Sequence, residues 1–559
     1  MGLRRRPRIA CTPMPRLRLA AAGACVVVLA AGCPGSGPPP HAAGPPPPAA
    51  GRGCPDLHDL VTRTVRGYYP VRSPDLAPIP YAPNYVGSAA GPVHTGPWDY
   101  LAEVPLVAYG PGIVRPAGRL GRPVTMADVA PTIGGLIGFP FRTPDGRDVS
   151  ASFVRRGAPK PRLVLTLVWD GAGRDMLRAH AGRWAYLKRL MHEGASFTHM
   201  TIGSTPSNTA PIHSTLGTGV FPDRHGIVHV NIRMRSGGYV DPWEGNDPGR
   251  LLAPSLADRY DRARGNRPVI GLLATVDWHL GMIGHGAEFP DGDRDLTALL
   301  NSSGISYGDP SIYDLSLVGS PGALERESES FDIQDGKADG RWLGSRLSDP
   351  NVRYSSPAWV RYQRDVFRAL LARQGFGDDA VPDLLFENIK SADDAGHMFG
   401  MYSPEVDADI AAMDRSLKQT VHDLNALVGK GRWVVLLTAD HGFTPSPRRS
   451  GAWPIYGGEL KDDLNAAFDH TSNGTDLVLR VNSAGIYLHR HQLQAGHVTE
   501  RRLARWILGY TARDNLAPGH GPPPRWRGRT DRPLFEAVVG GRRLLASACR
   551  RSPGPDTVR

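Results

Sequence analysis

The sequence predicts an α/β fold: a largely parallel central sheet covered on both faces, a three-layer α/β/α sandwich with a cap or loop insertion. Three observations predict it. Predominantly apolar runs recur at 163–169, 269–276, 384–389 and 433–438, and a strand apolar on both sides is one buried on both faces, as in parallel sheets. Between such runs lie segments of helical period. After Pro404, residues Val406, Ile410, Met413, Leu417, Val421 and Leu424 fall on one stripe that must pack on the sheet. Acidic residues follow the runs at Asp170, Asp393 and Asp440, beyond the carboxyl ends of the strands, which is where open α/β sheets bind ligands.

From the amino terminus, the first element is an export signal. Arg4, Arg5, Arg6, Arg16 and Arg18 precede an apolar run at 19–31 that is short for a membrane span. Ala30, Ala31 and Gly32 stand before Cys33 as in a bacterial lipobox, so residues 1–33 are read as a signal peptide whose Cys33 carries lipid. Plain cleavage and secretion is the alternative. Either reading places the protein outside the cytoplasm, lipid-anchored to the bacterial cell membrane or secreted. Residues 34–55 are nearly all Pro, Gly and Ala and behave as an extended tether. Cys54 and Cys549 stand at opposite edges of the expected folded body, and a disulfide between them is hypothesised for an oxidising compartment.

The folded body starts near Asp56 and divides into 56–150 and 151–550, with a tail at 551–559. Within it, 233–353 is rich in Gly, Ser, Asp and Pro and poor in periodic segments outside the run at 269–276, so loops or a cap over the site are expected there. The net charge of +11 comes from arginines spread along the chain, with no dense basic run interleaved with aromatics, so no nucleic-acid groove is evident. The sequence contains neither an internal repeat nor a Walker-type phosphate loop.

Taken singly, Asp170-Gly171 and Asp440-His441-Gly442 fit capped turns, and Asp393 through Gly396-His397 fits a loop with a surface histidine. Together, each after a strand, they form a set of carboxylates and imidazoles able to converge on one point, as a two-metal phosphoester-cleaving site requires. Between the first two comes Thr209-Ala210-Pro211-Ile212-His213, followed by Thr218-Gly219, Pro222 and His225-Gly226. Pro211 suits the first turn of a helix whose free amides face a bound phosphate, with Thr209 at its start. A threonine hydroxyl needs a metal or base to become a nucleophile. Ser204, Thr205 and Ser207 are rivals on chemistry alone.

This spacing resembles the nucleophile segment of the type I phosphodiesterase/nucleotide pyrophosphatase branch of the alkaline-phosphatase superfamily, in which the nucleophilic Thr is followed by Pro, His, Thr-Gly, Pro and His-Gly. The resemblance implies an alkaline-phosphatase-like fold and metal-dependent hydrolysis of a small phosphoric ester, a phosphodiester or pyrophosphate, through a phosphothreonine at Thr209. It implies two divalent ions, with Asp170, Thr209, Asp440 and His441 on one, and Asp393 and His397 on the other. Mixed nitrogen and oxygen donors suit zinc, with manganese as the alternative.

The second ion lacks a ligand, because the family's further histidine lies downstream of Asp-His-Gly and no such passage follows His441. At the front of the chain, Val93-His94-Thr95-Gly96 leads into Val104-Pro105-Leu106 and then Thr125-Met126-Ala127-Asp128, which resembles the family's C-terminal portion. The sequence is therefore read as circularly permuted, with 57–150 completing a fold whose usual beginning is Leu163. His94 becomes the missing ligand; His520, flanked by Gly519 and Gly521, competes but lacks that continuation. Permutation preserves a core because domain termini lie at the surface near each other. Ile212 stands where the branch often has a phosphoryl-binding asparagine, so Asn208 or a backbone amide is expected to substitute. The nucleophile position carries no sulfatase-type cysteine motif. A phosphomonoesterase on the same scaffold and a non-catalytic lipoprotein that binds phosphoryl ligands are the competing readings.

Overall fold

The structure is a computed structural model that describes residues 57–88, 94–316, 320–471, 473–516 and 522–548. The signal peptide and lipobox with Cys33, the tether, Cys54, His520, Cys549 and the tail lie outside the described residues.

The chain begins with α1 (Leu57–Arg66), β1 (Leu76–Pro80), β2 (Leu106–Tyr109), β3 (Gly118–Thr125) and α2 (Val129–Ile137). Then come β4 (Leu163–Trp169), β5 (Ala195–Thr201), α3 (Thr209–Thr218), α4 (Leu256–Arg264), β6 (Ile270–Ala274), β7 (Leu296–Leu300) and β8 (Ser306–Tyr307). The second half contributes α5 (Pro357–Arg373), β9 (Asp383–Ile389), α6 (Ser391–Phe399), α7 (Pro404–Leu424) and β10 (Trp433–Thr438). It ends with α8 (Gly457–Phe468), β11 (Val478–Asn482), β12 (Gly485–Leu488), α9 (Glu500–Gly509), β13 (Phe535–Gly540) and β14 (Arg543–Ser547).

Nine strands form one mixed sheet in the order β8-β7-β6-β9-β4-β10-β2-β5-β3. From β7 to β10 all neighbours are parallel, and every residue of β4, β9 and β10 is buried because helices lie over both faces. Helices α5, α6 and α7 pack with one another, and α2, α3 and α4 form a second group; both share the apolar cluster of the sheet. The α7 stripe from Val406 to Leu424 is buried along its length, and Ser403 starts that helix by accepting a hydrogen bond from Val406 N at 3.2 Å. Trp169 and Trp433 are wholly buried on adjoining strands; truncating either to alanine costs about 3–5 kcal/mol.

Strand β2 departs from the parallel pattern and thereby helps to build the site. It pairs antiparallel with β10, Leu106 opposite Thr438 and Tyr109 opposite Val435. It therefore starts at the end of the sheet where β4, β9 and β10 finish, so the segment leading into it, from His94 to Pro105, arrives at that end.

The stretch 233–353, expected as loops or a cap, is in good part sheet and helix. It supplies α4, β6, β7 and β8, and β7 extends the parallel region with Leu296 opposite Gly271. Its short runs at 270–274 and 296–300 are as buried as the central strands.

A second, antiparallel sheet runs β11-β12-β1-β13-β14, with its own core around Leu460 and Leu464 of α8 and Leu503 and Ile507 of α9. β1 sits at its centre, and α1 packs through Leu57, Leu60, Val61 and Val65 on Ala537 and Val539 of β13. Residues 57–80 thus belong with the last hundred residues, not with β2 and β3. Among the described residues no helix is long and apolar enough to cross a membrane.

Candidate active site

Strand register brings the candidate residues side by side. Ile389 lies opposite Trp169 and Thr438 opposite Val168, so Asp170, Lys390 and Asp440 leave three adjacent strands at one level. Gly171 then turns the chain at φ +70°, where an added Cβ would stand 3.1 Å from the Asp393 Cα; conformation and space both demand glycine. Its N–H donates to Asp440 Oδ1 at 3.0 Å.

Of the groups of ligand atoms that result, each with its atoms within 4.8 Å of one another, one joins Asp170 to His213 and His279, and two triads carry the expected ligands. In the inner one, His441 Nε2 lies 3.7 Å from Asp170 Oδ1 and 3.3 Å from Asp440 Oδ2. In the outer one, Asp393 and His397 are one turn apart on α6 and so share a face, Nε2 3.6 Å from Oδ1. His94 completes it, its Nε2 3.1 Å from His397 Nε2 and 3.8 Å from Asp393 Oδ1. The triads adjoin: His441 Nε2 is 3.8 Å from Asp393 Oδ1, and the His94 and His441 rings stack with centroids 3.6 Å apart.

His94 is held from behind. Its Nδ1 is 2.5 Å from the Ser207 carbonyl oxygen, an arrangement that makes Nδ1 the donor and leaves the Nε2 lone pair facing the triad. The Ser207 hydroxyl donates to the His94 carbonyl and accepts from Gly96 N, so it is occupied in tying the 94–96 segment to the loop before α3. Thr209 is the first residue of α3, buried, with Asn208 in extended conformation ahead of it and no side chain capping the helix start. One turn on, His213 Nδ1 lies 2.8 Å from the Thr209 carbonyl oxygen and 3.8 Å from Asp440 Oδ2. The helix is thereby docked on the inner triad. Asn208 Oδ1 is buried and without a hydrogen-bond partner, whereas Ile212 lies in the apolar core.

Three further polar residues reach the site without having been singled out from the sequence. Lys390 Nζ lies 3.3 Å from Asp170 Oδ1 and 2.5 Å from Asp393 Oδ2. His279 Nε2 and Asn388 Nδ2 approach Asp170 Oδ2 at 3.3 and 3.0 Å, and Asn388 Nδ2 also meets His213 Nε2 at 3.0 Å. A signal existed: Lys390 directly follows one apolar run and His279 lies three residues past another.

The charge balance shows what the site lacks. Against the cost of burial, Lys390, the hydrogen bond from His279 and the nearby His441 hold the Asp170 carboxyl well below its usual range. Against the same cost, Lys390 and His397 bring Asp393 to about 2. Asp440 goes the other way, pushed well above the usual range by burial and the neighbouring Asp170. Burial lowers His94 well below its ordinary value, lowers His441, and takes His213 to about 3, which keeps these rings neutral with lone pairs to give. One ammonium thus serves three carboxylates. Asp393 Oδ1, Asp440 Oδ2 and His441 Nε2 are buried with no hydrogen-bond partner, each at a cost of about 1–3 kcal/mol. Divalent cations between the triads would relieve that deficit, and the oxygen and imidazole donors fit zinc.

Known proteins place the chain. It is 25% identical over 352 residues to alkaline phosphatase PhoV of Synechococcus elongatus, covering 54% of this chain and 62% of that protein; the chain thus spans less than two thirds of that relative's length. It is 23% identical over 385 residues to alkaline phosphatase PafA of Elizabethkingia meningoseptica, covering 60% of this chain and 70% of that protein. The crystal structure of wild-type PafA shares the fold, with a TM-score of 0.51 at 19% identity over 63% of this chain and 77% of that one. The profile of the type I phosphodiesterase / nucleotide pyrophosphatase family matches residues 164–505, more than half of the sequence, and the chain belongs to that family.

Proposed function

We propose that the protein hydrolyses small phosphoric esters by a metal-dependent route through a phosphothreonine at Thr209. One observation carries the reading. Six ligand side chains from four separated segments converge at the carboxyl ends of the strands, with three of their buried donor atoms unpartnered. Asp170, Asp440 and His441, with Thr209, would hold one divalent ion, and His94, Asp393 and His397 the other; zinc is the proposed metal. Bound there, such ions supply positive charge for the phosphoryl oxygens and lower the pKa of a coordinated hydroxyl.

The chain's own groups do the rest. Thr209 gives up its hydroxyl proton to solvent and its Oγ attacks phosphorus, the P–O bond to the leaving group breaks, and that oxygen departs with a proton from solvent. Water then cleaves the phosphothreonine, releasing phosphate or a phosphate monoester and restoring the hydroxyl. On this reading the first-turn amides of α3 and the Asn208 amide nitrogen would donate to phosphoryl oxygens in place of the asparagine that Ile212 replaces. Thr209→Ala should abolish turnover with metal content intact, and acid quenching of the wild type with substrate should trap a phosphorylated peptide containing Thr209. Near-normal turnover by the variant overturns the assignment.

A second reading, a phosphomonoesterase, is favoured by the two relatives given above, each named as an alkaline phosphatase; parallel assays with nitrophenyl monoester and diester separate the two. Circular permutation is proposed as the origin of His94, supported by the family match beginning at residue 164 while β2 and His94 come from before it. The Cys54–Cys549 disulfide remains a proposal, supported by the packing of α1 on β13. Export with lipidation at Cys33 rests on the sequence alone; metabolic labelling with a lipid analogue tests it.

A further inference from the structure

A second group of carboxylates lies at the opposite end of the main sheet and takes no part in the proposed reaction. Asp295 immediately precedes β7, whose first residue pairs with Gly271 of the parallel strand β6, so it stands at the amino ends of the strands, whereas Asp170 follows a carboxyl end. Asp293 joins it from the same loop and Asp261 from the last turn of α4, with ligand atoms within 4.8 Å of one another. The loop reads Asp291-Gly292-Asp293-Arg294-Asp295, with carboxylates on alternate residues, a pattern by which oxygen-rich loops wrap calcium.

An ordinary acidic surface differs from this group in its partners. Asp261 is only 4% exposed, and its Oδ1 is buried with no hydrogen-bond partner. Asp295 is 6% exposed. Among the described residues the only ion pair on this loop joins Arg262 to Asp291, at 3.7 Å, so no side-chain cation offsets Asp261, Asp293 or Asp295. Nearby Asp258 shows how the fold satisfies a structural carboxylate, accepting from Ser255 N, His285 N and His285 Nδ1. Burial, a hydrogen bond shared with Asp293 and the adjacent carboxylates raise the Asp261 carboxyl, burial and the adjacent carboxylates raise that of Asp295, and the carbonyl end of α4 adds further negative potential.

We propose that Asp261, Asp293 and Asp295 form a calcium site that ties the 291–295 loop to the end of α4 and secures the β6–β7 edge of the sheet. All the donors are oxygens, which disfavours zinc. The exposed Asp293 leaves room for water ligands at the six to eight positions calcium takes.

The test uses the full-length protein loaded with zinc, titrated with calcium chloride by calorimetry and melted with and without calcium. One calcium equivalent should bind with zinc content unchanged, and Tm should rise with calcium concentration. Asp293→Asn, at an exposed position, should lose both responses while still folding. Asp261→Asn should melt higher than wild type without calcium, because repulsion is relieved, and gain nothing from calcium. Asp393→Asn should keep the calcium response. Absence of a calcium equivalent, survival of binding in Asp293→Asn, or its loss in Asp393→Asn overturns the proposal.

Discussion

The inner and outer triads sit against each other yet are built differently. Asp170, Asp440 and His441 follow the ends of β4 and β10, are at most 1% exposed, and all fall inside the family-matched block. The outer triad takes one ligand from a loop outside that block and two from a helix, and the His397 side chain is 40% exposed. The inner set therefore inherits its rigidity from the sheet, while the outer set depends on the tether between His94 and Ser207. Metal occupancy should divide along that line.

The largest effect expected is from His441→Ala. His441 Nε2 lies against both triads and its ring stacks on His94, so its loss should cost both metal equivalents and reduce turnover by more than about 10³-fold. His94→Ala should divide the two: one equivalent retained, turnover lowered by about 10³-fold. Loss of both metals in His94→Ala would break the division between triads.

Lys390 sharpens the comparison because it bridges Asp170 of one triad and Asp393 of the other. In metal-free protein, Lys390→Met leaves two buried carboxylates uncompensated and should destabilise by about 3–5 kcal/mol. Metal affinity should move the opposite way, since the ammonium no longer repels a dication. Denaturant melts of the metal-free protein and metal titrations read the two signs separately. A smaller effect belongs to Ser207→Ala, which loosens the backbone behind His94 and should weaken one metal equivalent by about 10–100-fold, leaving the other unchanged.

How much of this was legible depended on whether the signal was local. Asp170, Asp440 and His441 could be read as residues at strand ends, whereas Asp393 and His397, which singly fit a loop, lie one turn apart on α6. His94 was reachable only through the resemblance, since nothing local marks 106–109 as antiparallel to 433–438. Lys390 and His279 stand outside any recognisable ligand spacing, although a buried site must also balance charge. Strand β7 is a five-residue run in a polar stretch, and the second sheet is built from strands such as Val478–Asn482, which bury only part of their length. Half-exposed short strands leave no continuous apolar run to find.

The last prediction separates the pH response of the scaffold from that of the site. Glu387 and Asn388 are neighbours on β9, but Asn388 meets Asp170 whereas Glu387 is buried against Gln363 of α5, whose Nε2 lies 3.2 Å from Oε1. Burial outweighs that hydrogen bond and raises the Glu387 carboxyl from 4.5 to about 8. Between those values the unfolded chain has lost this proton and the folded chain keeps it, so the unfolded state binds fewer protons and stability falls as pH rises. Melts of the zinc-loaded protein across that window should therefore slope downward with pH. Glu387→Gln, neutral in both states, should flatten the slope with metal content unchanged; an undiminished slope would assign it to other buried acids, such as Asp409 or the carboxylates at the end of α4.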